Sequence, residues 1–91
     1  MSAGIYLLHF ERPAPWRPSN PPQHYLGRSK DVEARVETHA AGHGGRFTAS
    51  MLRAGISFEL VRCWPDNDYR TEIRLKGRGA RRLCPLCGRT N

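Results

Sequence analysis

The chain has 91 residues, 38% of them hydrophobic, which suits one small domain near the lower limit at which a chain buries its own core. No apolar run approaches membrane-spanning length, so a helical membrane protein is excluded and a globular, cytoplasmic one is expected, with no membrane partner. Fifteen Lys and Arg against eight Asp and Glu give a formal charge of +7, an imbalance that favours polyanions and makes nucleic acid the expected partner.

In chain order, residues 4–10 have the length and apolar content of a strand. Residues 11–23 hold five of the seven prolines, so this segment is neither a helix nor a central strand and reads as a stiff surface loop. Strand character resumes at His24 and runs to Arg28, and the two strands most simply pair antiparallel. A helix is expected over 30–41: Ser29 stands at the N-cap, Asp31 complements the positive end, and Val32, Val36 and Ala40 recur at helical spacing. Gly42 stops it. Phe47, Met51, Leu52 and Ala54 point to a second helix ending at Gly55.

A third strand is expected over 56–64, with Ile56, Phe58 and Leu60 alternating against Ser57, Glu59 and Val61, and Pro65 ends it. The last helix is expected over 68–76, capped by Asp68. Residues 77–91 are rich in Gly and Arg and read as an irregular basic tail. The sum is a single α/β domain over 1–91: a small, mostly antiparallel three-stranded sheet flanked by helices.

The cations are almost all Arg, with only Lys30 and Lys76 as Lys, and a planar guanidinium grips phosphate oxygens bidentately. Arg28, Arg46, Arg70, Arg74 and Lys76 are the candidate nucleic-acid contacts. His43, in the Gly42-His43-Gly44-Gly45 turn, offers a weaker phosphate contact and reads equally as an exposed loop after a helix cap.

One ordered set stands out. Gly4-Ile5-Tyr6 lies on the first strand, Tyr25-Leu26-Gly27 on the second, and Arg35 and His39, four apart on one face of the first helix, follow. Glu72 comes later, on the third helix. Each has an ordinary explanation alone: Tyr6 and Tyr25 as half-buried strand residues, Arg35 as a solvated helix residue, His39 as a helix-end histidine, Glu72 as the i,i+4 partner of Lys76. Their order resembles the GIY-YIG family of metal-dependent endonucleases, over roughly residues 4–76.

The resemblance implies phosphodiester hydrolysis with Mg²⁺ (or Mn²⁺). It makes Tyr6 the group that takes or positions the proton of the attacking water, and Tyr25 a hydrogen-bond partner of water or phosphate. Arg35 becomes the transition-state cation, His39 an aid to proton transfer or phosphate binding, and Glu72 the metal ligand. A tyrosine of ordinary pKa is a poor base at neutral pH, so Tyr6 in that role needs a phenolate stabilised by Arg35 or the metal. Two features depart from the family: the triplet tyrosines are 19 residues apart, stretched by the Pro-rich loop, and no Asn follows Glu72 before Asn91. Low sequence specificity is expected of so small a surface. The alternative on the same fold is a nucleic-acid-binding module without catalysis.

Cys84-Pro85-Leu86-Cys87 offers half of a tetrahedral Zn²⁺ site, which Cys63 and a histidine, or a second chain, could complete. A lone pair does not establish one, and reduced thiols are the favoured reading. Built on that pair, a small zinc-binding interaction protein is the third reading.

Overall fold

The structure, a computed structural model, describes residues 2–65 and 68–87. Its elements are β1 (Gly4–Phe10), β2 (His24–Ser29), α1 (Val32–Ala40), α2 (Arg46–Arg53), β3 (Phe58–Trp64), α3 (Tyr69–Arg78) and α4 (Ala80–Leu83). The sheet order is β2-β1-β3 with both pairings antiparallel, so the expected three-stranded α/β architecture is present.

β1 takes the centre because it is apolar on both sides. Ile5, Tyr6, Leu7, Leu8 and Phe10 are each exposed by 1% or less, and a strand covered on both faces reads as a continuous apolar run. Tyr6, Leu8 and Phe10 face one layer, with Val32, Met51 and Ile56 packed on them. Ile5 and Leu7 face the other, against Leu26, Leu75, Leu83 and Cys84. The sheet thus separates α1 and α2 from α3 and α4.

Several boundaries differ from the sequence reading. Ser29 ends β2, and the cap of α1 is Asp31, whose carboxylate accepts from the Ala34 N–H at 3.1 Å. Asp68 caps α3 as expected, accepting from the Arg70 N–H at 3.1 Å, but α3 runs past Lys76 to Arg78. β3 begins at Phe58, after Ile56 and Ser57. Its expected alternation fails because Leu7 pairs with Arg62 while Leu8 pairs with Leu60, leaving Val61 as the extra residue of a bulge. Leu60 is consequently 42% exposed, and Val61 packs on the α3/α4 side.

The segment read as an irregular tail carries α4, with Leu83 and Cys84 buried; residues 88–91 of that tail lie outside the described residues. Arg62 on β3 holds α4's end by donating to the Leu83 carbonyl at 3.1 Å. The Pro-rich loop is tied at its base, where the Phe10 N–H donates to the Gln23 carbonyl at 2.9 Å and the Ala14 N–H to the Pro22 carbonyl at 3.0 Å. Among the described residues no helix is long and apolar enough to cross a membrane.

Candidate functional site

Tyr6 stands directly opposite Gly27 in the β1/β2 ladder, and Tyr25 opposite Leu8. Gly27 lies within β2, and its use is steric. A Cβ there would come within 2.5 Å of Tyr6 Cζ and Oη and 2.9 Å of Tyr25 Cε2, so only glycine lets the Tyr6 ring cross β2. Tyr25 is then the diagonal neighbour on the same face, with ring centroids 6.1 Å apart.

His39, at the end of α1, is fully buried and not the solvent-facing helix-end residue its position suggests. Its burial depends on the turn after α1: a Cβ on Gly44 would collide with the imidazole. His39 Nε2 lies 2.8 Å from Tyr6 Oη, and Nδ1 lies 3.0 Å from Thr48 Oγ1. The Thr48 hydroxyl has one proton, which it donates to the Gly45 carbonyl at 3.3 Å. Its oxygen therefore accepts from His39 Nδ1–H, which leaves the Nε2 lone pair to accept from the Tyr6 hydroxyl. This chain fixes both the tautomer and the direction in which a Tyr6 proton can move. Tyr25 closes the group, its ring 5.2 Å from that of His39.

Electrostatics match this order. Burial, and then the neighbouring Tyr25, push the Tyr6 phenol far above its ordinary value; Arg35 opposes them without overcoming them, and Glu72 adds a smaller upward push. Burial and then Arg35 lower the His39 pKa. At neutral pH Tyr6 is a phenol and His39 a neutral imidazole. The phenolate that the family resemblance asks of Tyr6 is thus disfavoured at rest.

Arg35 is exposed, on the rim of a depression it shares with Arg28, Ser29 and Lys30, and its charge reaches both Tyr6 and His39. Glu72 comes from α3, in the other layer. Its Oε1 pairs with Arg28 Nε at 3.1 Å and its Oε2 with Lys76 Nζ at 3.4 Å, so the expected Lys76 pair is present and Arg28 joins it. Arg28 also lies over the Tyr69 ring, 5.7 Å from its centroid. Arg46 opens α2, while Arg70 and Arg74 lie on α3, all exposed; among the described residues no side-chain hydrogen bond or ring contact joins them to Tyr6 or Tyr25. Thr48 escaped the sequence reading, although its place three residues before buried Met51, on the inward side of α2, was a legible signal.

A second group lies on the opposite face of the sheet. His9 and His24 are paired across β1 and β2, and their Nδ1 and Nε2 atoms are 3.2 Å apart. The turn after α4 brings Cys84 Sγ to 3.5 Å and Cys87 Sγ to 3.8 Å from His9 Nδ1, and Cys87 Sγ to 3.4 Å from His24 Nε2. All four atoms lie within 4.8 Å of one another and could hold a metal ion. Burial, then the His9 and Arg81 charges, lower the His24 pKa to about 4. Neither histidine was singled out from sequence, and Cys63, the thiol considered there as a further ligand, stands exposed opposite Tyr6 on β3.

Searches of protein-family models, curated proteins and solved structures returned no match to this chain.

Proposed function

We propose that the chain is a metal-dependent phosphodiesterase acting on nucleic acid, and more narrowly an endonuclease of the GIY-YIG type acting on DNA. One observation carries the reading: the buried Tyr6 to His39 hydrogen bond of 2.8 Å, with Tyr25 packed on both rings and the charges of Arg35 and Glu72 acting on Tyr6. Isolated strand tyrosines and a helix-end histidine have no reason to build that chain on a glycine-cleared face.

The geometry favours a relay over a resting phenolate. An attacking water gives its proton to Tyr6 Oη as Tyr6 passes its own to His39 Nε2, while Nδ1–H stays on Thr48 and holds the ring. The water oxygen bonds to phosphorus, the phosphorus bond to the departing oxygen breaks, and that oxygen takes a proton from solvent. Tyr25 keeps the Tyr6 ring in place, and Arg35 meets charge on the phosphoryl oxygens. Arg28 and Lys76 beside Glu72 suit the phosphate backbone.

Glu72 fits a hard divalent ion such as Mg²⁺ or Mn²⁺: its carboxylate is 14% exposed, shielded yet open, and it would be the one protein ligand, with waters and phosphate oxygens completing the shell. A divalent ion held by Glu72 would offer positive charge to the departing oxygen.

The test is cleavage of end-labelled single- and double-stranded DNA with Mg²⁺ or chelator, comparing wild type with Glu72→Ala and Tyr6→Phe. Cleavage should need Mg²⁺, and each variant should lose about 10²-fold or more in rate. Cleavage that survives chelator or Glu72→Ala would sink the reading. One observation favours a binding-only module, namely that both Glu72 oxygens are already held by cations; salt-sensitive DNA binding without cleavage would establish it.

A further inference from the structure

We propose that His9, His24, Cys84 and Cys87 form a structural zinc site that fastens the C-terminal segment to the β1/β2 hairpin. The inference stands apart from the cleavage reading, which uses none of the four. It rests on distances, ligand chemistry and position.

A tetrahedral zinc with nitrogen ligands at about 2.0–2.1 Å and sulfur ligands at about 2.3 Å has edges of about 3.3 Å between nitrogens, 3.6 Å between nitrogen and sulfur, and 3.8 Å between sulfurs. The nitrogen to nitrogen edge here is 3.2 Å. Three nitrogen to sulfur edges are 3.5, 3.8 and 3.4 Å. Four of the six edges of the tetrahedron thus have the lengths a zinc ion requires. A hydrogen-bonded cluster has no such requirement: each contact would need one proton on its own line, and His9 Nδ1 alone faces three partners.

The donor set selects the metal. Two imidazoles and two thiolates are too soft for Mg²⁺ or Ca²⁺ and are a common structural set for zinc. Two thiolates balance the ion's two charges, so the half-buried site is neutral when filled. Four protein ligands leave no open position for a reacting water, which makes the ion structural.

Position supplies the use. His9 and His24 stand on either side of the Pro-rich loop, next to the Phe10 and Gln23 backbone bond that closes it. Cys84 and Cys87 follow directly on α4, which packs with α3. One ion would therefore close the loop and pin α4, two tasks that a 91-residue chain has little core to perform.

The test uses the full chain under reducing conditions. Elemental analysis should find one zinc per chain. Co²⁺ added to the chelator-treated, reduced protein should give thiolate-to-cobalt absorption with intense tetrahedral bands, abolished by added Zn²⁺. Cys87→Ser and His24→Ala should each lose most of the bound zinc, while Cys63→Ser keeps it. The wild-type Co²⁺ spectrum carries the test if the ligand variants fail to fold. Three results would overturn the proposal: no zinc together with an octahedral Co²⁺ spectrum, equal zinc loss in Cys63→Ser, or an isolated protein two hydrogens lighter with Cys84 and Cys87 joined to each other.

Discussion

β1 presents Tyr6 to one face of the sheet and His9, three residues on, to the other, and the two faces use their polar groups in opposite ways. On the α1/α2 face the polar atoms satisfy one another. Tyr6 donates to His39, His39 to Thr48, and Thr48 to the Gly45 carbonyl, so each proton has a place and the ring has one tautomer. On the α3/α4 face two nitrogens and two sulfurs gather within 4.8 Å of one another. The first arrangement offers a proton a line to move along, whereas the second offers a cation a place in its middle. Buried polar groups reveal their use by whether their hydrogen bonds close.

The contrast makes its largest prediction in stability. Cys87→Ser, or exhaustive chelation of the wild type, should cost more than about 4 kcal/mol, because loss of a metal is among the few changes that destabilise so strongly. Tyr6→Phe leaves the lone pair of His39 unmet and should cost about 1–3 kcal/mol. Urea unfolding of the two variants side by side gives the ranking. If Tyr6→Phe proved the more damaging, the α3/α4 cluster would not be the fastening it is proposed to be.

How legible each face was in the sequence follows from where its residues lie. The strands, their order of appearance, the Asp68 cap and the amphipathic helices rest on local periodicity, and these could be read. Arg35 and His39 could be placed on one side of a helix by their spacing. The bulge at Val61 could not, because it reflects how β3 fits β1 and not anything in residues 58–64 alone. Nor could the His9/His24 pairing, which depends on register across a loop of thirteen residues; a one-residue slip would have put the two histidines on opposite faces. The arrival of Cys84 and Cys87 depends on α4 folding back over the sheet, a tertiary event with no local signature beyond Leu83. A Gly-rich turn looked like a cap or a phosphate loop, and its packing on His39 emerged only when the helix end was seen to be buried.

A smaller effect tests whether the α1/α2 face is built as tightly as its hydrogen bonds imply. Gly27→Ala adds one methyl where Tyr6 Cζ and Oη stand 2.5 Å away, and overpacking of this kind costs about 1–3 kcal/mol. The ring must tilt or β2 must shift, and either lengthens the Tyr6 to His39 bond. Cleavage should therefore fall by far more than the stability loss alone explains, while zinc content stays unchanged, because His24 and His9 point to the other face. Zinc loss in Gly27→Ala would mean that the two faces are mechanically coupled through β2.

The smallest effect lies in the pH dependence of stability, and its sign is fixed by the His39 environment. Burial and Arg35 hold the folded-state pKa below the unfolded value, which is about 6.5. Between those two values the unfolded chain binds more protons than the folded one, so stability rises with pH there. His39 thus contributes stability that is fully present above about pH 6.5 and is lost as pH falls through its lower folded value. Tyr6, Thr48, Tyr25 and Arg35 surround the ring, and none offers the negative charge that an imidazolium would need. Protonation of the proposed zinc ligands would also weaken the protein in acid, but that loss is common to both chains in a comparison of wild type with His39→Gln. Urea midpoints of the two, taken with zinc present from neutral pH down to about pH 5, should show the wild type losing stability more steeply. Parallel lines would mean that His39 accepts a proton in place without cost, and the Tyr6 hydroxyl would then have no reason to be its fixed donor.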